Sequence, residues 1–139
     1  MLNKKTVAYT EALLPASHRR ALAVLKDRLL PIPAEELFNL CLTWEKENKF
    51  LMFTLWPYET RVGKKIWRWD AFLGLIRDML SWELKNAHHE RAVLASGLFY
   101  KKAMRSALRD ELEARYDSLR EKYAIVYSFI RKTRGAPGL

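Results

Sequence analysis

The strongest constraint on this chain lies in its C-terminal third. Met104, Leu108, Leu112, Tyr116, Leu119, Tyr123, Val126 and Ile130 follow one another at intervals of 4, 4, 4, 3, 4, 3 and 4 residues. Apolar residues three and four apart fall on one face of an α-helix, so this spacing predicts a helix with a continuous apolar stripe, close to a heptad in its second half. A helix from about residue 98 to 133 would be roughly 50 Å long, at about 1.5 Å per residue. A compact globule of 139 residues has a radius of gyration of only about 14 Å. The stripe therefore needs cover along its length, either from another helix of the chain or from a partner. In the second case Leu112, Tyr116, Leu119, Tyr123, Val126 and Ile130 form the interface with a protein partner or a second copy.

Upstream, prolines divide the chain. Ala16–Leu30 reads as a helix with Leu22, Leu25 and Leu29 on one face, and Pro31 and Pro33 end it because neither can continue the hydrogen-bond ladder. Pro33 suits the first turn of the next helix, where Glu35 and Glu36 face the positive end of the dipole and Leu37, Leu40, Cys41 and Trp44 form the apolar stripe. Two readings fit residues 50–69. In one, Asn48 ends the helix, Phe50–Trp56 is a buried strand, Pro57–Gly63 turns, and Lys65–Trp69 returns as a small β-hairpin. In the other, the helix runs on to Trp56 and a loop follows. Asp70 suits the N-cap of a helix over Ala71–Ala87, apolar on more than one side and so central to a bundle, with a break near the polar Asn86–Arg91. The fold expected is mainly α: a bundle of four or five helices over residues 1–134, with a long C-terminal helix and a flexible tail at 135–139.

Bulk properties exclude several classes. The lone cysteine, Cys41, permits no internal disulfide and no cysteine-based zinc site, and its apolar neighbours point to a buried thiol. The longest uncharged runs, Phe50–Tyr58 and Ala92–Tyr100, are nine residues each, far short of the roughly 20 that a membrane span needs. Lys4 and Lys5 precede Glu11, which interrupts what a secretory signal would require, so a cytoplasmic location is expected, with organelle targeting a weaker reading.

No catalytic signature appears. Gly63, Gly74, Gly97, Gly135 and Gly138 are too scattered for a phosphate loop. His88 and His89 are adjacent, about 100° apart on a helix, and cannot share a metal comfortably. No second histidine follows at metalloprotease spacing, and Glu83 is followed at the di-iron spacing by Asn86. A non-enzymatic protein without metal or cofactor is expected.

Charge is the positive signal. With 25 Lys+Arg against 16 Asp+Glu the chain carries +9. Residues 1–33 contribute +4, 34–60 contribute −3, 61–105 contribute +6 and the remaining residues +2. The central block holds two clusters. Arg61, Lys64, Lys65 and Arg68 interleave with Trp67 and Trp69, the pattern that single-stranded nucleic acid favours, with cations for phosphates and flat rings for stacked bases. The competing reading makes both tryptophans core anchors with cations snorkelling around them. Lys101, Lys102, Arg105 and Arg109 form the second cluster; Lys101, Arg105 and Arg109 stand one turn apart on a single face, where unpaired like charges repel and favour a polyanion. A third group, Arg131, Lys132 and Arg134, sits where a helix C-terminus already favours cations. The expectation is a small subunit binding DNA or RNA through phosphate contacts; the alternative is an interaction module built on the long helix.

Overall fold

The computed structural model describes residues 16–47, 59–96 and 102–135. They form helices α1 (Ala16–Leu29) and α2 (Ala34–Glu47), a two-stranded antiparallel sheet of β1 (Glu59–Val62) and β2 (Lys65–Arg68), and helices α3 (Trp69–Ser96) and α4 (Lys102–Gly135). The architecture is the mainly α bundle expected, with a long C-terminal helix and a small hairpin. The expected strand at Phe50–Trp56 and the tail beyond Gly135 lie outside the described residues.

The 34 residues of α4 span about 51 Å, and the 28 of α3 about 42 Å. The two run antiparallel side by side. At one end Arg91 and Arg115 of opposite helices pair with Glu113 and Glu90, the first at 3.0 Å. At the other, Leu73 and Gly74 of α3 share a crevice with Ile130 and Thr133 of α4. The apolar stripe of α4 therefore has its cover inside the chain. Leu119 is 3% exposed, Val126 0% and Ile130 6%. Tyr116 and Tyr123 are half-buried against the same core, and Leu112 is half-buried. The six residues expected as a partner interface are thus buried or half-buried within the chain itself. Because α3 is apolar on several sides, it seals α4 with one flank while α1 packs on another. Toward its C-terminus α4 also meets α2, where the Phe38 and Phe129 rings lie 5.8 Å apart and Lys132 Nζ is 2.9 Å from Glu45 Oε1.

α3 runs through Asn86–Arg91 without the expected break. Ala87 is fully buried, while Glu90 and Arg91 find their partners on α4 rather than on a loop. Polar residues here mark the rim of an interhelical contact. At its other end α3 begins at Trp69, where the Asp70 Oδ1 accepts a 2.9 Å hydrogen bond from the Ala71 N–H.

One core cluster draws on all four helices and on Val62 of the hairpin. Its aromatic centre is Trp44, Trp69 and Phe72, with Trp44 edge-on to Phe72 at 5.1 Å and Trp69 stacked on Phe72 at 6.1 Å. Between α1 and α2, at the Pro31–Pro33 break, the buried Lys122 of α4 donates from Nζ to the Leu30 carbonyl at 2.8 Å. That carbonyl lies at the end of a helix, where no backbone donor remains for it.

Candidate nucleic-acid interface

The hairpin is built around Gly63, whose φ of 64° is the positive value that the first central residue of both twist-matching two-residue turns requires. Of residues 57–63, expected to turn, Glu59–Val62 form strand β1 and Gly63-Lys64 the turn, while 57 and 58 lie outside the described residues. Register then sorts the side chains. Thr60 pairs with Trp67 and Val62 with Lys65, while Arg61 pairs with Ile66 and Glu59 with Arg68. Paired residues share a face in an antiparallel ladder, so Thr60, Val62, Lys65 and Trp67 form one face and Arg61, Ile66 and Arg68 the other.

The first face turns inward. Thr60 and Val62 are buried, and Trp67 is half-buried with the His18 ring of α1 edge-on at 5.5 Å. Lys65 remains exposed but lays its ammonium over the Trp67 ring, 4.6 Å from the centroid. Trp69 belongs to α3 and is 2% exposed. Trp69 therefore offers no face to a base, which corrects the stacking surface expected on it, and Trp67 is half-buried with a ring face under Lys65. The reason is topological: a strand of four residues cannot carry Trp67 and Trp69 on one open face when the second already starts the helix that organises the core.

The second face is exposed. Arg61, Ile66 and Arg68 project from it, Lys64 stands at the turn, and Ile66 is 46% exposed. Arg68 lies 3.5 Å from Asp70, with both side chains more than half exposed; such a pair contributes little. Among the described residues Arg61 and Lys64 form no ion pair. Helix α1 adds cations that the sequence spacing gave no reason to join to the hairpin. Val24 faces Gly63, its Cγ2 at van der Waals distance from where a Cβ there would stand. Arg20 and Arg28, both exposed, lie one turn to either side of Val24.

Arg105 and Arg109 are elsewhere. They line a cavity with His88, Arg91 and Leu94 near the C-terminal end of α3, whereas the hairpin feeds its N-terminal end. At 1.5 Å per residue the two sites are roughly 30 Å apart along α3. The basic block that is continuous in sequence is two sites in space. Lys101 lies outside the described residues, and Lys102 is the first residue of α4.

Cys41 is fully buried, and burial together with the nearby Glu45 carboxylate pushes its thiol up to about 12. Among the described residues no three His, Cys, Asp or Glu side chains gather as a metal site, and no helix is long and apolar enough to cross a membrane. Comparison with protein-family models, curated proteins and solved structures finds no match.

Proposed function

We propose that this protein binds nucleic acid through phosphate contacts, largely without regard to sequence, as a small non-enzymatic subunit of a nucleoprotein assembly in the cytoplasm. The observation that carries the reading is the outward face of the hairpin, where Arg61, Lys64 and Arg68 are exposed around an exposed Ile66. These cations hold no core together: among the described residues Arg61 and Lys64 form no ion pair, and Arg68 meets Asp70 only at the exposed surface. Such an arrangement is costly to the fold and useful to a polyanion. A two-stranded ribbon also matches the width of a duplex groove, and exposed Ile66 suits contact with sugar or base edges there. The burial of Trp69 and the inward position of Trp67 favour backbone binding over base stacking.

The test is fluorescence anisotropy with labelled duplex and single-stranded DNA and RNA over a salt series. The logarithm of affinity is expected to fall with the logarithm of salt by about 0.7 to 0.9 for each phosphate neutralised. Replacing Arg61, Lys64 and Arg68 together by Gln is expected to flatten that slope by about 2 to 3, since each removed cation releases one fewer counterion. An affinity independent of salt, or a triple variant with the wild-type slope, would overturn the assignment.

A further inference from the structure

We propose that the cleft between the C-terminal half of α3 and the N-terminal half of α4 binds a phosphomonoester dianion, clamped by Arg91, Arg105 and Arg109. The cavity there measures about 540 Å³, within the roughly 300 to 1,000 Å³ of small-molecule sites.

Among the described residues three guanidiniums converge on it from two helices, against the one carboxylate of Glu113. The surplus of positive charge matches a phosphomonoester, which carries about −1.5 to −2 near neutral pH. Guanidinium is the group for this task, because its rigid planar fork donates two parallel hydrogen bonds to phosphate oxygens.

The three arginines are not equivalent. Arg91 is held in place before any ligand arrives: its Nε is 3.0 Å from Glu113 Oε1, and its guanidinium lies over the Tyr116 ring, 4.3 Å from the centroid. Such preorganisation lowers the ordering cost of binding. Arg105 is only partly exposed, and its Nε is shut off from solvent without a hydrogen-bond acceptor among the described residues. Arg109, one turn further along α4, is exposed at the rim and free to close over an anion.

Ala92, Leu94 and Ala95 form an apolar stretch of the wall, with His88 and Ser106 also lining the cavity. That stretch leaves room for the organic part of the ester. This site does not depend on the hairpin reading, which concerns a face roughly 30 Å away along α3.

Isothermal titration of the full-length protein with inorganic phosphate and with glycerol 3-phosphate, each against chloride at equal ionic strength, tests the assignment. Saturable phosphate binding is expected, weakened at least about tenfold by Arg105→Gln or by Arg109→Gln, and unaltered by Arg61→Gln on the hairpin. Arg109→Gln changes an exposed side chain, so it reads out the site even where Arg105→Gln disturbs packing; far-UV circular dichroism checks both. A short 5′-phosphorylated oligonucleotide and its dephosphorylated twin separate a nucleic-acid end from a small ester as the source of the phosphate. Phosphate heats no larger than those of chloride, or wild-type phosphate affinity in the folded Arg109→Gln and Arg105→Gln variants, would overturn the proposal.

Discussion

Lys122 places a cation where the fold would otherwise keep only hydrocarbon. It is 2% exposed, yet its Nζ meets one acceptor, the Leu30 carbonyl at 2.8 Å. Two effects of opposite sign act on it. The charged hydrogen bond contributes about 1.5–3 kcal/mol, and the negative end of α1 adds about 0.3–1 kcal/mol. Removing an ammonium from water costs several kcal/mol in return. Burial lowers the Lys122 pKa from its ordinary 10.5, so the desolvation is not fully repaid. The stem is a separate gain: Lys122→Ala deletes roughly three buried methylenes, worth about 2 kcal/mol.

Lys122→Met keeps the stem and removes the charge. It is expected to stay within about 1 kcal/mol of wild type at neutral pH, while Lys122→Ala loses about 2–3 kcal/mol. The pH dependence separates the causes further. A lysine whose folded-state pKa lies below its unfolded value binds fewer protons in the native state, so native stability rises with pH across the window between the lowered value and 10.5. Urea unfolding followed by far-UV circular dichroism, run on wild type and Lys122→Met over that alkaline range, isolates this slope as a difference, because the other titrating groups are common to both. The wild type is expected to gain stability relative to Lys122→Met as pH climbs. Equal losses from Lys122→Met and Lys122→Ala would refute the reasoning, since they would assign the whole effect to the ammonium–carbonyl bond; so would a difference that does not change with pH.

Two further outcomes follow from local geometry. Gly63→Ala is expected to cost about 1–2 kcal/mol in urea unfolding, because a Cβ is strained at positive φ while the space beside Val24 accepts it at 3.9 Å; Gly63→Asn should cost less. Cys41, buried and with its thiol pushed up to about 12, should react with a disulfide reagent near neutral pH only as fast as the protein opens, so its labelling rate should rise steeply with denaturant.

Much of the fold was legible because it rests on local rules. The interval pattern from Met104 to Ile130 requires a helix whatever surrounds it, the prolines at 31 and 33 break the chain in any context, and the 72–84 segment, with apolar residues on more than one side of a helix, has to be central. The elements misjudged were those whose signals are ambiguous locally. Asn86–Arg91 looked like a break because polarity alone does not distinguish a loop from a helix edge that pairs with another helix. Residues 59–62 looked like a turn because the clue to their pairing, Gly63 at positive φ, is a property of the backbone.

The candidate site was legible in charge and not in layout. Spacing along the chain shows that Arg61, Lys64 and Arg68 cluster and that Arg105 and Arg109 share a helical face. It carries no sign that the hairpin turns Trp67 inward against His18, nor that Arg91 crosses to meet Arg105. Those depend on which strand face packs against α1 and on the antiparallel alignment of α3 with α4. The sequence by itself determined that this chain is a basic helical bundle with a long stripe in need of cover. Only the tertiary structure decided that α3 and α2 supply the cover, because burying that apolar face within the chain removes it from water without the entropic cost of recruiting a partner. The same packing sets the cations of the hairpin and those of the α3–α4 cleft at opposite ends of α3.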